Sequence, residues 1–209
     1  MNPARRLSGH GRLGFSRAGE GGHVLVEMLA VVSVVILVGG MAASGFTNQR
    51  DSIHAAAAAR HLGTMTYLVR AEALKRGTHV GLVFRTDAGE YRFATFEDGD
   101  GDGLRTADVA EGTDRQVTSW SRLDDDFPRA TLGIVPGATD PESGEPLSGS
   151  PLRFGGSGML SFGPDGTATS GTLYLRGPGR QQYALRILGA TGRTRVLRFD
   201  FEERRWVAP

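Results

Sequence analysis

The residues whose spacing most clearly suits chemistry are the carboxylates of Asp98-Gly99-Asp100-Gly101-Asp102-Gly103-Leu104-Arg105-Thr106-Ala107-Asp108. A hard cation such as Ca²⁺ needs six to eight oxygens around one point. Acids at alternate positions, with glycine at the sixth, can supply three of them. Asp98, Asp100, Asp102 and Asp108 are therefore the candidate metal ligands. The pattern departs from a complete EF-hand loop: Val109 stands at the twelfth position, where a bidentate glutamate belongs, and Arg105 at the hydrophobic eighth. The nearest closing carboxylate is Asp108, with Glu111 or Asp114 beyond. Without a cation the same stretch is a solvated, self-repelling acidic turn, because several carboxylates this close are unfavourable together unless a cation or strong solvation offsets them.

A second group is basic: Gly192-Arg193-Thr194-Arg195, with Arg186 before it and Arg198, Arg204 and Arg205 after it. Arginines on a strand can reach phosphates, and such binding falls steeply with salt. Arg193, Arg195 and the nearby Arg186 do not form a wide patch with interleaved aromatics, however, and no helix is available to enter a groove. The alternative is a hairpin whose arginines pair with acids of the same domain or of a neighbouring subunit. No motif supports an enzyme. His10, His23, His54, His61 and His79 are scattered, without a zinc-protease helix, a nucleophile elbow or a phosphate loop. The absence of cysteine excludes disulfides, thiolate metal sites and a cysteine nucleophile. Trp120 and Trp206 read as core or interface anchors.

The charge distribution indicates how these groups are deployed. A chain of 209 residues with 39% hydrophobic and 22% charged content fits one soluble domain plus an appendage, and its net charge is only +1. Yet residues 1–22 carry Arg5, Arg6, Arg12 and Arg17 against Glu20, a net +3, so the remainder is −2. Within that remainder the stretch from Asp87 to Asp126 is −8 and that from Arg176 to Arg205 is +5.

The basic leader precedes the one membrane-length stretch. From Met28 to Phe46 no residue carries a formal charge, and as a helix these residues span about 28 Å, close to the hydrocarbon core of a bilayer. Arginines before it and a polar region after it put the N-terminus in the cytoplasm and the rest outside. A cleaved secretory signal, with small residues at Met41-Ala42-Ala43-Ser44, and a plain single-span anchor both fit that pattern. Neither accounts for Glu27, set within Val24-Leu25-Val26-Glu27-Met28-Leu29. A carboxylate there costs several kcal/mol unless it finds a partner. A cut after Gly22 would create one, because the new α-amine of His23 could neutralise the Glu27 of a neighbouring subunit in a helical stack.

Gly22-His23-Val24-Leu25-Val26-Glu27-Met28-Leu29 resembles the class III signal of type IV prepilins and type II secretion pseudopilins. The resemblance implies cleavage after Gly22 by a prepilin peptidase, methylation of the new N-terminus, and assembly guided by Glu27. His23 departs from the usual phenylalanine. Arg70-Ala71-Glu72-Ala73-Leu74-Lys75-Arg76-Gly77-Thr78-His79-Val80 is similar to the stretch marking the GspH/FimT subgroup, and Phe162-Gly163-Pro164-Asp165-Gly166-Thr167 resembles its C-terminal turn. Residues 97–158 are mostly individual. In FimT-like minor pilins an element similar to Gly192-Arg193-Thr194-Arg195 is associated with DNA uptake.

The elements needed to position these groups follow from periodicity. Ala58, Leu62, Met65, Val69 and Ala73 recur at helical spacing and predict an amphipathic helix ending at Gly77. After it the period becomes alternating, with strand candidates Val80-Leu82-Phe84, Tyr91-Phe93, Val117-Ser119, Leu173-Leu175, Ala184-Leu188 and Val196-Phe199. Pro164-Asp165-Gly166 predicts a tight turn, and residues 136–151 a long surface loop. The expected fold is α+β and pilin-like: a long N-terminal transmembrane-plus-amphipathic helix packed against an antiparallel β-sheet domain. Its expected parts are a cytoplasmic leader (1–22), a membrane helix (23–46), its amphipathic continuation (47–77) and a periplasmic β-rich domain (78–209). The expected function is structural, as a minor pseudopilin of a type II secretion system or related type IV pilus filament in the bacterial inner membrane. Its partners would be other pilins and the prepilin peptidase. The alternative is a DNA-binding minor pilin for uptake. No cofactor is required, Ca²⁺ being the candidate ion.

Overall fold

A computed structural model describes residues 20–209, apart from the side chains of 20–23 and 41–52. Most of the leader, residues 1–19, lies outside the described residues. The chain divides into two units at Phe46 and Thr47.

The first long element is α1 (Glu20–Arg76). In the first unit every described side chain from Val24 to Gly40 is exposed, the apolar ones included. Among the described residues no helix is long and apolar enough to cross a membrane. In the second unit the helix buries one face. Ala58, Leu62, Val69 and Ala73 of the anticipated stripe are buried, with Ala55 and Ala59 beside them, and Met65 packs against them half-buried. Alanine suits this face because it maintains helix at no side-chain entropy cost and lets the sheets approach closely. The helix stops where anticipated. Gly77 adopts φ 69°, and its amide donates to the carbonyl of Ala73 at 3.0 Å, a left-handed cap that glycine takes without penalty.

Two antiparallel sheets follow. The first has the order β3-β2-β1-β6, from β1 (Val80–Asp87), β2 (Glu90–Glu97), β3 (Arg115–Gln116) and β6 (Met159–Phe162). The second runs β10-β9-β8-β7-β4, from β4 (Thr131–Leu132), β7 (Gly171–Arg176), β8 (Gln182–Leu188), β9 (Arg193–Asp200) and β10 (Arg205–Val207). A further strand, β5 (Leu152–Arg153), pairs with β7. Short helices α2 (Thr106–Glu111) and α3 (Leu123–Asp126) lie between strands. One core joins the helix face to Val80, Leu82 and Phe84 of the first sheet and to Leu173, Leu175, Leu185 and Ile187 of the second. The alternation seen in the sequence is thus the alternation between this core and the outer faces.

The fold differs from expectation at Val117–Ser119, over residues 136–151 and in its two-residue strands. Val117–Ser119 is not a strand; the pairing is made just before it, by Arg115 and Gln116 against Glu97 and Phe96. Val117 instead donates its amide to the carbonyl of Thr95 at 2.8 Å as the chain leaves the sheet. Residues 136–151 do not form a plain surface loop either: Ala138 and Leu147 are buried, and Leu147 donates its amide to Ala138 at 2.9 Å. The two-residue strands escaped notice because two residues show no period. The turn at Pro164-Asp165-Gly166 is as expected: the Gly163 amide donates to the Thr167 carbonyl at 2.9 Å, and Asp165 Oδ1 accepts from the Thr167 amide at 3.0 Å.

Candidate functional site

The acidic stretch starts at the end of β2 and returns to the sheet at β3, with α2 at its far side. Asp98 is buried despite its charge, and the loop's amides explain how. Its Oδ1 accepts from the amides of Gly101 at 2.7 Å and Asp100 at 3.2 Å, its Oδ2 accepts from Gly103 at 2.9 Å, and His79 Nδ1 lies 3.5 Å from Oδ2. Burial pushes the Asp98 carboxyl up, but these amide donors, helped by His79, outweigh it and hold the group below the usual carboxylate range. Asp114, also buried, accepts from the amides of Gly99 at 3.3 Å and Arg105 at 3.1 Å. Two buried carboxylates therefore gather five loop amides, which shapes the loop from within. Glycine is required at Gly99, where a Cβ would stand 2.0 Å from the Thr113 carbonyl oxygen.

The remaining acids are less well compensated. Carboxylate oxygens of Asp98, Asp100 and Asp102 lie within 4.8 Å of one another and could hold a metal ion; Asp108 is outside that group. Asp102 pairs with Arg105. Its pKa is raised nonetheless, because burial, together with the carboxylates of Asp100 and Asp108, outweighs the help from Arg105. Asp108 is raised as well, by burial and then by Asp100 and Asp114, and its Oδ2 is buried without a hydrogen-bond partner. Sequence reasoning found the loop but took Asp114 only as a distant closing acid. That Asp98 and Asp114 are the buried pair depends on the β2–β3 pairing.

The arginines of the C-terminal hairpin fall into a row. Cα pairing sets Arg153 opposite Thr172, Thr172 opposite Arg186, and Arg186 opposite Arg195, a line across β5, β7, β8 and β9 on one face. The intervening residues Thr194 and Val196 face α1: Thr66 Oγ1 and Thr194 Oγ1 are 3.0 Å apart, and Val196 lies against Gly63. Arg193 and Arg195 thus project away from the helix. Asp140 meets Arg153 at 3.5 Å and Glu142 meets Arg186 at 2.7 Å, so two of the three arginines in the row are paired within the domain. Among the described residues Arg193 and Arg195 have no ion pair. Gly192 has a separate, structural reason: at φ 60° its Cβ position lies 2.6 Å from the Gly166 carbonyl oxygen and 2.7 Å from Arg70 Nε. Arg70 of α1 donates to that same Gly166 carbonyl at 3.4 Å, so the helix, the Pro164-Gly166 turn and Gly192 meet at one point.

Of the N-terminal residues, Glu27 lies on α1 with its side chain exposed among exposed apolar neighbours. Gly22 and His23 fall in the same helix, with the His23 side chain outside the described residues. Two polar hubs escaped sequence reasoning altogether. Fully buried Gln182 accepts from the Val135 amide at 2.6 Å and donates to the carbonyls of Leu175 at 3.0 Å, Tyr183 at 3.1 Å and Gly133 at 3.2 Å. Tyr174 donates to Asp140 Oδ2 at 2.8 Å, and burial with that carboxylate raises its phenol well above the ordinary value. Nothing local marks either residue, because Gly133, Val135 and Asp140 lie in loops remote in sequence.

An α+β domain with an amphipathic helix face bedded on antiparallel sheets, glycine-locked turns and two clusters of opposite charge has the makings of an assembly module. The family model described as Type II transport protein GspH matches residues 58–192, from the buried helix face to Gly192. The chain belongs to the GspH family. Among solved structures it is similar to the minor pseudopilin EpsH from the Type 2 Secretion System of Vibrio cholerae, with 19% identity over 69% of this chain and 97% of that one, at a TM-score of 0.41. No curated protein matches.

Proposed function

We propose that this chain is a minor pseudopilin of a type II secretion system or a related type IV filament, cut after Gly22 and assembled through its N-terminal helix. The observation that carries the reading is the GspH family match over residues 58–192. In support of the anchor, the apolar side chains from Val24 to Val38 are exposed to an extent soluble surfaces rarely tolerate, and a bilayer would cover them. The basic leader then stays in the cytoplasm and the second unit lies in the periplasm. Once cut, the His23 α-amine would neutralise Glu27 of an adjacent subunit, giving that carboxylate the partner it needs in an apolar stack. The test is processing and assembly in the native host. Gly22→Ala should leave the full-length precursor, and Glu27→Ala should give a cleaved protein that stays in the membrane fraction. Mature-size protein from Gly22→Ala would remove the basis of the reading.

One observation favours the nucleic-acid alternative: the unpaired Arg193 and Arg195 extend a row already containing Arg153 and Arg186. Mobility shift at low salt tests it, with Arg193→Ala/Arg195→Ala as control; absence of a wild-type complex would exclude DNA. Asp98, Asp100 and Asp102 remain the proposed cation ligands. Ca²⁺ should raise the melting temperature relative to chelator, and an unchanged melting temperature would leave a purely structural loop.

A further inference from the structure

The outer face of the β3-β2-β1-β6 sheet carries a groove that filament assembly through α1 does not use. Its volume of about 550 Å³ falls in the range of sites that take a small ligand or a bulky side chain. Val83, Phe96 and Met159 form the floor, Val109 of α2 one wall and Trp120 the other. The ring centroids of Phe96 and Trp120 lie 5.7 Å apart with the planes tilted by 55°.

Charge at the mouth is unbalanced. The Arg85 guanidinium lies 4.0 Å from the centre of the Trp120 ring and has no carboxylate partner among the described residues. Directly across the β1–β2 ladder stands Arg92, which has a counter-ion in Asp87 at 3.2 Å. Like charges facing each other on adjacent strands are unfavourable, and Arg85 has only a ring face to offset this. The other guanidinium at the groove, that of Arg115, is paired with Glu97. The one carboxylate in the lining, Asp114, has both oxygens taken by the amides of Gly99 and Arg105, the floor and walls are otherwise mainly apolar, and the rim presents a cation without a carboxylate partner among the described residues. Beside it runs β3, the edge strand of its sheet, along which an extended backbone can lie.

We propose that this groove docks a peptide segment of a partner protein in which a bulky apolar side chain stands next to a carboxylate. The side chain fills the space between Met159 and Trp120, and the carboxylate pairs with Arg85. The test uses the full chain in detergent, reading the indole N–H resonances of Trp120 and Trp206, with acetyl-Gly-Leu-Glu-Gly-amide, its Gln analogue and N-acetyl-leucine as probes. The Glu peptide should shift Trp120 but not Trp206, saturating at roughly millimolar concentration. It should bind about five to ten times more tightly than the Gln peptide, a preference expected of a charge-assisted contact. Arg85→Gln should abolish the preference and Arg85→Lys should keep most of it. No saturable Trp120 shift, equal binding of the Glu and Gln peptides, or a preference that survives Arg85→Gln would overturn the proposal. N-acetyl-leucine binding as tightly as the peptide would overturn it in favour of a free small acid. None of these measurements involves cleavage or filament assembly, so they stand apart from the pseudopilin reading.

Discussion

Asp98→Asn isolates the role of the acidic loop's central residue. The change preserves shape and burial but removes the charge and one of the two acceptor oxygens. In its better orientation the amide oxygen keeps the bonds from Gly101 and Asp100, while the NH₂ faces the Gly103 amide that Asp98 Oδ2 accepts at 2.9 Å. One bond to a charged group is lost and replaced by opposed donors, and two others fall from charge-assisted to neutral strength. With hydrogen bonds to charged groups worth about 1.5–3 kcal/mol and neutral ones about 1, the expected loss is about 2–4 kcal/mol. The pH dependence follows from the depressed folded pKa of Asp98. Its stabilisation is fully present above the unfolded value of about 3.9 and is lost as pH falls through the lower folded value. The gap between wild type and variant should therefore be constant from neutrality to about pH 5 and close below about pH 4. Urea unfolding of residues 47–209, followed by tryptophan fluorescence across that range, measures it; among the described residues every buried core residue lies within this unit. A difference below about 0.5 kcal/mol at neutral pH, or one undiminished at the acid end, would refute the view that loop amides hold this carboxylate.

Other expectations concern the remaining hubs. Gln182→Met keeps the volume but strands the Val135 amide and leaves three carbonyls without their donor, so urea unfolding should show a loss of about 2–5 kcal/mol. Gly192→Ala sets a methyl against Arg70 and the Gly166 carbonyl at a left-handed φ, and should lower stability by about 1–3 kcal/mol in the same assay. Asp108→Asn should raise the melting temperature at neutral pH. The raised pKa of Asp108 means its charged form is disfavoured in the folded state, a penalty present at neutral pH and relieved on acidification through the folded value. The gain should therefore vanish in acid.

The sequence alone was enough to place the helix face and its end. Ala58, Leu62, Val69 and Ala73 announce themselves by spacing, and Gly77 can stop a helix through its own backbone freedom. It also marked the long strands, the Pro164-Gly166 turn and the two charge clusters, since each depends on neighbours within a few residues. Motif resemblance at Arg70–Val80 and Phe162–Thr167 pointed to the family that the match over residues 58–192 establishes. Only the tertiary structure decided which acids are buried, because Asp98 and Asp114 come together through the pairing of β2 with β3 across a loop that contains α2. It likewise decided that Arg153 joins Arg186 and Arg195 in one row, and that Gln182 and Tyr174 hold distant loops. Hydrogen bonds among them join residues from 15 to 47 positions apart. Their free energy resides in pairs that no local window contains, whereas a helix face or a turn is written in consecutive residues.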